Sequence, residues 1–452
     1  MSENNEINSK FLENLSSLIK EKSSERIKDI ICDLHIADVA EIIEEFSIEQ
    51  ANFVFQLMDE EKSALVLMEL EEDTRENLLS FLSAKEIATE VIENLESDDA
   101  TDVISELPEE QKEEVLSLIE DDEHASDIED LLNYKEDTAG GLMAKELIKV
   151  NENWTTLRCL KEMRKQATEV KKVHTIYVVN EKDKLVGTLS LRKLLLTESR
   201  INISEITNYE IISVLASVDD EEVANIMNKY DLIVIPVIDK GGVLLGRITI
   251  DDVMDVVKEE AEKDYQMASG ITEDVESSDS VWQLTRARFP WLLIGLFGGL
   301  LGAFIINVFL PEQEESNFQL AFFIPLIAAM GGNVGVQSAA IVAQGLANES
   351  IKIDTIFRKL VKELGVALLN GLICSTIIFG ATFALYERID LSLTVSLSLL
   401  AVIVFAALFG TFVPLTLDKY KIDPALATGP FITTVNDVLG LVIYFLIGSA
   451  IL

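Results

Sequence analysis

The residue best suited to chemistry is an aspartate, Asp437, inside the apolar stretch PFITTVNDVLGLVIYF near the carboxyl terminus. It is the eighth residue of that stretch, beside Thr433, Thr434 and Asn436, and the stretch holds no Lys or Arg. A carboxylate at membrane depth costs about 2.5 kcal/mol or more and is by default a site on an ion path. The alternative is a protonated aspartate that is hydrogen-bonded to a neighbouring helix.

A second apolar segment, FFIPLIAAMGGNVGVQS from Phe322 to Ser338, is interrupted by glycines and amides. An unsatisfied amide in hydrocarbon costs several kcal/mol, so Asn333 and Gln337 are expected to face other helices or a wet cavity. The three glycines allow a backbone or a hydrated ion to approach closely, or they serve only as helix-packing contacts. Proline, glycine and amide within one span favour the functional interpretation.

Acidic side chains crowd a predicted helix with the sequence TIDDVMDVVKEEAEKDYQMA. Four of them share one face at three- and four-residue steps, and two more form a neighbouring row: Asp252, Asp255, Glu259 and Glu262, then Glu260 and Asp264. Like charges at this spacing each cost a few tenths of a kcal/mol. The cluster is therefore either a solvated face or a site neutralised by a bound cation. Oxygen ligands without His or Cys suit a hard ion such as magnesium or calcium.

Catalysis is not indicated. No nucleophile–base pair or phosphate-binding glycine loop is found in the sequence. The three histidines, His35, His124 and His174, form no ligand pattern. We therefore expect a protein that is not an enzyme.

The charge is distributed very unevenly along the chain. Of 37 basic and 78 acidic residues, residues 1–280 carry 28 and 67, whereas residues 281–452 carry 9 and 11. A large acidic part thus precedes a nearly neutral, apolar part. An acidic excess of this size argues against nucleic acid or an anionic membrane surface as the main partner and favours cations.

Five hydrophobic stretches follow residue 286, each near the ~20 residues needed to cross a bilayer. They are predicted at about 289–310, 318–346, 360–386, 391–415 and 427–452. Basic residues precede the first stretch and fill the connections between the second and third and between the fourth and fifth. The positive-inside rule therefore puts the amino-terminal part in the cytoplasm and the carboxyl terminus outside, and the first residues, MSENNEINSK, do not resemble a signal peptide.

The acidic part changes its period near residue 134. Residues 11–133 follow a helical pattern with internal similarity between 37–50 and 98–111, which predicts stacked helical hairpins.

Residues 174–194 and 232–253 are β-rich and align at a constant offset of 59, which predicts two α/β modules. They resemble tandem cystathionine-β-synthase (CBS) domains, whose motif G-x-x-(T/S)-x-x-D often meets a nucleotide ribose. Thr249 and Asp252 match in the second copy, whereas the first has Ser190 but Lys193 in place of the acid. The pair is either a nucleotide site at the second module or a scaffold without nucleotide.

The order of these parts resembles the MgtE magnesium transporters over almost the whole chain. The motifs that carry the resemblance are YKEDTAGGLM (134–143), the CBS pair, the acidic linker helix, RFPWLL (288–293), PLIAAMGGNVGVQS (325–338) and DPALATGPFITTVND (423–437). The strings MGGN-x-G-x-Q and GPF-x-TT-x-x-D are specific to this family.

This resemblance implies a homodimer in a cell membrane, with an ion path between the two subunits and a linker, the plug helix, that closes it. Asp437 would hold hydrated magnesium in the path, with Thr433 and Asn333 beside it. A cytoplasmic magnesium sensor would use Asp98, Asp102, Gly141, Asp231, Asp252, Asp255, Glu260 and Asp264. Lys258 and Lys263 interrupt the family's acidic linker in this chain.

We therefore predict a multidomain fold: an all-α superhelical domain at 1–133, α/β CBS modules at 134–200 and 201–260, a plug helix at 261–285 and an all-α transmembrane domain at 286–452. The predicted function is a magnesium-selective channel or transporter closed by cytoplasmic magnesium. The alternative is an ion-coupled divalent-cation carrier or a membrane sensor controlled by an adenine nucleotide such as ATP. Sequence does not separate channel from carrier, or magnesium from cobalt, manganese and calcium.

Overall fold

The computed structural model describes residues 9–167, 170, 172–272, 275, 279–309, 319–347, 356–427 and 429–451. The chain forms two compact units, an amino-terminal unit that ends at Val257 and a carboxyl-terminal unit that begins at Lys258. Their architecture confirms the predicted fold class: a helical domain and an α/β pair come first, and long apolar helices follow.

Short helices build the first domain, and many begin at a side-chain cap. Asp59 accepts a hydrogen bond from the Lys62 backbone N–H at 3.0 Å, and Ser83 forms a capping box with Glu86. Helices this short are not stable alone, so they share one apolar core. The helices are α1 (Ser9–Lys20), α2 (Ser24–Cys32), α3 (Ile36–Glu44), α4 (Ile48–Phe55), α5 (Glu60–Met68), α6 (Glu72–Leu79), α7 (Ala84–Glu86, continued by a π turn Ile87–Val91 and a 3-10 turn Ile92–Asn94), α8 (Ser97–Glu106), α9 (Glu109–Leu118) and α10 (Asp122–Leu131).

Two modules of the same topology follow, each with a three-stranded sheet. In each module the first strand pairs parallel with the second, and the second pairs antiparallel with the third. The predicted hairpins are confirmed, and the first strand of each sheet is an addition to the prediction. The elements are β1 (Ile148–Asn151), α11 (Thr156–Gln166), β2 (Ile176–Val179), β3 (Leu185–Leu189), α12 (Leu191–Leu196) and α13 (Ile203–Ile206), then β4 (Val214–Leu215), α14 (Asp220–Lys229), β5 (Val234–Ile238) and β6 (Leu244–Thr249).

A single unbroken helix, α15, runs from Ile250 to Ala268. The module boundary that the sequence predicts at residue 260 therefore lies inside a helix. α15 ends at Ala268, and Gly270 just beyond it has φ +83. The Ile271 N–H donates to the Gln266 carbonyl at 3.0 Å. A glycine tolerates this left-handed conformation without the steric cost of a Cβ.

Among the described residues, five helices are long and apolar enough to cross a membrane. They begin and end as follows: α16 (Val281–Phe309), α17 (Ile324–Ala347), α18 (Ile356–Tyr386), α19 (Ile389–Lys419) and α20 (Gly429–Ile451). The helix α19 is the most enclosed of them, because α17, α18 and α20 all pack against it. A Cβ on Gly410 would lie only 3.1 Å from the Gly335 Cα, so α19 and α17 cross in direct backbone contact.

Candidate metal centres

The first candidate site lies in the carboxyl-terminal unit, where α17 and α20 meet at Asp437. A Cβ on Gly332 of α17 would lie 3.5 Å from the Asp437 Oδ1 and 3.2 Å from the Thr433 Cγ2. The absence of a side chain at Gly332 therefore leaves room beside this carboxylate. Thr433 is held by a 3.1 Å hydrogen bond from its hydroxyl to the Gly429 carbonyl, one turn earlier on α20.

A cavity of about 590 Å³ opens at this point between α16, α17 and α20. Its polar lining comes from Asp437, Thr433 and Thr434, and its other wall carries glycines of α16, namely Gly295, Gly298, Gly299 and Gly302. Glycines at this spacing place bare backbone along one helix face. The cavity thus offers a carboxylate and two hydroxyls in a wide, otherwise apolar space.

Asn333, the third predicted residue of the ion path, is not among the described residues that line this cavity. It lies on the outer face of α17 together with Gln337, and both side chains are more open to the surroundings in the single chain than their neighbours on the packed face. The opposite face of α17 is buried and carries Gly331, Gly335 and Ser338. Thr433 and Asp437 therefore line the same cavity, whereas Asn333 lies on the outer face of α17.

The second candidate site lies in the amino-terminal unit, where the start of α8 meets the second CBS module. Ser97 fixes this helix start, because its backbone N–H and hydroxyl donate to the Glu146 carboxylate at 3.0 and 2.8 Å. Arg247 on β6 adds an ion pair of 3.0 Å with Glu96. These contacts hold Asp98, the next residue, close enough to Asp252 for the two carboxylates to repel each other.

Burial, followed by the Asp99 and Asp252 carboxylates, raises the pKa of Asp98 well above its ordinary value. Burial also raises the pKa of Asp252, although the backbone N–H and hydroxyl of Thr249 donate to its carboxylate, each at 2.8 Å. Two desolvated carboxylates of like charge are unfavourable as a pair. A divalent cation between them would remove that cost.

Asp102 lies one helical turn beyond Asp98 and faces the turn that precedes the first CBS module. Desolvation and then Asp99 raise its pKa, Arg75 opposes them, and Glu106 and Glu136 add to the rise. Glu136 belongs to the same turn as Gly141, where a Cβ would lie 2.5 Å from the Lys135 carbonyl oxygen. Only glycine fits that position, because a side chain would collide with the backbone of Lys135 and Glu136.

Other predicted sensor residues are more open to solvent. Asp231 is exposed in a left-handed turn after α14, with φ 51, and Asp255 is exposed on α15. In the carboxyl-terminal unit Glu260 forms an ion pair of 2.8 Å with Lys263, one of the two lysines that interrupt the acidic linker. Glu260, a predicted magnesium ligand, is therefore paired with a lysine of its own helix.

Sequence reasoning missed one acid of this group, Asp423. Desolvation and then Asp423 and Glu260 raise the pKa of Asp264 near the end of α15, while Lys263 opposes them. Asp423 precedes Pro424 in the connection between α19 and α20. It begins the motif DPALATGPF, to whose first residue the resemblance assigns no role.

The end of α15 also packs on the start of α20. A Cβ on Gly270 would lie 3.0 Å from the Pro430 Cδ, and a Cβ on Gly429 would lie 3.2 Å from the Ala268 carbonyl carbon. Pro430 is itself a lining residue of the Asp437 cavity. The acidic helix therefore ends at the edge of that cavity.

The nucleotide motif has a structural role in this fold. Besides donating to Asp252, the Thr249 hydroxyl contacts Asp251, so the motif closes the first turn of α15. The Ser190 hydroxyl accepts from the Lys193 backbone N–H at 3.2 Å and caps α12 in the first module. Lys172 forms an ion pair of 3.6 Å with Asp251 and lines a small cavity with His174 and Arg247.

Among the described residues, no three His, Cys, Asp or Glu side chains come together closely enough to hold a metal ion directly. The acids meet in pairs, and the donors are carboxylate oxygens. This donor set fits magnesium, which keeps several of its waters and usually binds through one or two carboxylates. It suits a site for a dehydrated transition metal poorly.

The fold and these sites define a multi-pass membrane protein of divalent cation transport with a helical domain and a CBS pair. Family models match three parts of it: the MgtE intracellular N domain at residues 34–137, the CBS domain at 139–198 and 203–259, and the MgtE divalent cation transporter domain at 324–447. The chain belongs to the MgtE family of magnesium transporters. The predicted resemblance is thereby confirmed.

Relatives match over most of the chain. The magnesium transporter MgtE of Bacillus subtilis is 33% identical over 436 residues, which are 94% of this chain and 96% of that protein. The magnesium transporter MgtE of Thermus thermophilus is 36% identical over 330 residues, 72% of this chain and 73% of that protein. A crystal structure of the cytosolic domain of the Mg2+ channel MgtE in complex with ATP is 32% identical, with a TM-score of 0.51, over 54% of this chain and 99% of that chain.

The Asp98–Asp252 repulsion leads to a prediction about stability. In the full chain in detergent, with divalent cations chelated at pH 8, Asp98→Asn should raise the midpoint temperature of unfolding, because it removes a buried charge that faces a like charge. The folded-state pKa of Asp98 is raised, so the difference should shrink as the pH falls and the wild-type carboxyl takes up a proton. Glu113→Gln, a change at an exposed acid on α9, is the matched control. Equal midpoints for Asp98→Asn and wild type at pH 8 would contradict the repulsion.

Proposed function

We propose that the chain is a magnesium-selective channel that admits hydrated magnesium to the cytoplasm across a cell membrane. The observation that carries this proposal is the Asp437 carboxylate beside Gly332, in a cavity of about 590 Å³ whose other wall is glycine. A single acid per subunit attracts a cation without caging it, and conduction needs binding that is weak enough for release.

The size of the cavity supports passage of the ion with its water. Each water occupies about 30 Å³ of liquid, so an ion with six waters needs roughly 200 Å³. The space beside Asp437 exceeds that volume. Thr433 and Thr434 offer hydroxyls to coordinated waters, which suits an ion that dehydrates reluctantly.

A second copy of the chain completes the path in this proposal. The amides of Asn333 and Gln337 on the outer face of α17 would face lipid in a single chain, at a cost of several kcal/mol each. A homodimer in which the two α17 faces meet puts these amides and two Asp437 carboxylates on a shared, hydrated axis. The positive-inside pattern supports an amino-terminal unit in the cytoplasm and a carboxyl terminus outside.

Repulsion between acids provides the gate. Asp98, Asp102 and Gly141 on one side and Asp252, Asp255 and Asp231 on the other would hold magnesium ions, as would Glu260, Asp264 and Asp423 near the end of α15. Bound magnesium supplies positive charge that offsets the repulsion among these carboxylates. With the repulsion offset, the acids draw together and α15 stays seated on Pro430 at the edge of the cavity. Without bound magnesium the acids separate, α15 leaves that edge and the path opens. Uptake therefore stops when cytoplasmic magnesium rises, which is negative feedback.

A nucleotide is a second candidate effector. The second CBS module carries Thr249 and Asp252 with Lys172 nearby, and the cytosolic domain of a relative was crystallised with ATP. We propose that ATP, where it binds, uses this module, with the ribose at Thr249 and Asp252. A carrier or sensor governed chiefly by nucleotide is the runner-up function.

Calorimetric titration of the purified chain with ATP tests the nucleotide site. Thr249→Val keeps the shape and the Asp252 carboxylate but removes the hydroxyl, and it should weaken ATP binding by about tenfold, the usual cost of a lost hydrogen bond to a ligand. Ser190→Ala removes the equivalent cap from the first module and should leave binding unchanged. Undiminished ATP binding by Thr249→Val would remove the second module from consideration.

Magnesium flux into proteoliposomes tests the ion path. Asp437→Asn is nearly isosteric and removes only the charge, so it should reduce the flux at least tenfold while the protein remains folded and dimeric. Glu113→Gln, a change at an exposed acid on α9, is the control and should leave the flux unchanged. If Asp437→Asn carried magnesium at the wild-type rate, the path would not pass this residue.

A further inference from the structure

A second acid of the membrane helices, Glu363, has no role in the function proposed above. It lies seven residues into α18, and its Oε1 accepts a hydrogen bond of 2.7 Å from the Ser338 hydroxyl on α17. Ser338 is only 4% exposed. This contact therefore joins the third span to the second inside the protein.

Other hydroxyls in these spans bind differently. Those of Ser392, Ser396, Thr376, Thr416 and Thr433 all donate to the carbonyl four residues earlier in their own chain segment. A helical serine has that partner available at every turn. Ser338 instead reaches across to a carboxyl group, and a hydrogen bond to a carboxylate is stronger than one between neutral groups.

Large side chains of α17 pack in apolar clusters at Ile327 and Val342, but the buried face between them carries small residues. Gly331 and Gly335 lie on that face, and glycines present no side chain to interlock with neighbouring helices. At Gly335 the backbone itself rests on Asn436 and on Gly410. A smooth contact of this kind permits close approach but resists rotation weakly, whereas a hydrogen bond is directional.

The direction of α17 matters because its two faces differ. Ser338 is buried, and the amides of Gln337 and Asn333 lie on the outer side of the same helix. Successive residues are about 100° apart around a helix, so a fixed Ser338 also fixes where Gln337 and Asn333 point. At the other end, the Tyr444 hydroxyl donates to the Leu320 carbonyl at 2.9 Å and ties the beginning of the second span.

We propose that Glu363 is a positioning residue for ion conduction: by accepting from Ser338 it fixes the rotation of α17 that presents Asn333 and Gln337 to the ion path. The proposal rests on the proposed function for the identity of the path, but the rotation itself can be measured separately. Glu363 acts through α17 and does not touch the ion. It acts through its acceptor oxygen: the charge strengthens the bond to Ser338 but has no other part in the proposal.

Four variants separate position from charge in magnesium flux. Glu363→Gln keeps an acceptor oxygen and should retain flux within about twofold of wild type, whereas Glu363→Ala and Ser338→Ala should each lose about fivefold or more. The double variant with alanine at both positions should lose no more flux than either single variant, because each single change already breaks the same hydrogen bond. Ser375→Ala is the matched control, since that hydroxyl also joins two helices, by a 2.8 Å bond to the Ser396 carbonyl, but does not touch α17.

Thiol labelling measures the rotation directly. In a chain with Cys32, Cys159 and Cys374 replaced by serine, single cysteines at positions 333, 336, 337 and 340 are treated with a water-soluble thiol reagent. Positions 333 and 337 should react fastest, and Ser338→Ala or Glu363→Ala should shift the fastest reaction to a neighbouring position. Ser375→Ala should leave the pattern unchanged.

Two results would overturn the proposal. Flux in Glu363→Gln that falls as far as in Glu363→Ala, with Ser338→Ala at the wild-type rate, would mean that Glu363 acts by its charge. An unchanged labelling pattern in Ser338→Ala would mean that the bond does not set the rotation. Ser338→Ala leaves no buried donor unpaired, so it decides the question even if Glu363→Ala fails to fold. A wild-type chain without magnesium flux would refute the proposed function, whereas the labelling pattern would still test the rotation.

Discussion

Repulsion between carboxylates that are held close together is the constraint on which this structure depends. The fold places Asp98 against Asp252 by fixing the start of α8 through Ser97 and Glu146, although burial and then the Asp99 and Asp252 charges raise the pKa of Asp98. It also places Asp264 near Asp423. Such pairs are unfavourable when no cation lies between them. In the proposed gate this cost makes the compact state depend on the magnesium concentration and gives the protein its sensitivity to magnesium.

In the membrane helices, by contrast, a carboxylate stands without a neighbouring acid among the described residues that line its cavity. That carboxylate is Asp437, and its surroundings are glycine, threonine and apolar side chains. One acid in a wide space attracts a hydrated ion but does not strip it of water. Glycines on α16 make that space possible because they leave no side chains where the helices would otherwise fill it. The direct crossing of Gly335 and Gly410 shows how closely the rest of the bundle packs around it.

Much of the fold could be predicted from the sequence because its patterns are local. The CBS hairpins follow from alternating apolar residues and from a repeat at constant offset, and the five spans follow from their length and apolarity. The strands β1 and β4 were missed because they are only four and two residues long and pair with partners that are distant in sequence. Thr249 and Asp252 were recognised as a motif, but their bond to each other at the start of α15 is visible only in the structure.

The candidate sites were predictable to the extent that a residue is unusual in its own segment. Asp437 stands out because it is an acid inside an apolar stretch, whereas Glu363 follows Lys359 and Lys362 and looks like part of a polar helix start. Its contact with Ser338 joins residues 25 positions apart, which no periodic pattern reveals. Asp423 was hidden for a similar reason, since its partner Asp264 belongs to another helix. Asn333 was placed beside Asp437 by resemblance, and only the structure locates it on the outer face of α17.

The most direct test of this account is the magnesium current through excised membrane patches that contain the protein, with magnesium at the cytoplasmic face raised from micromolar to millimolar. The wild-type current should fall steeply, because moving the gate from mostly open to mostly closed needs about 5 kcal/mol of differential binding from several weak sites. A chain in which Asp252, Asp255, Glu260 and Asp264 are all replaced by their amides should keep conducting at millimolar magnesium. Closure of that quadruple variant at the same magnesium concentration as wild type would contradict the account and leave the acids as a solvated face.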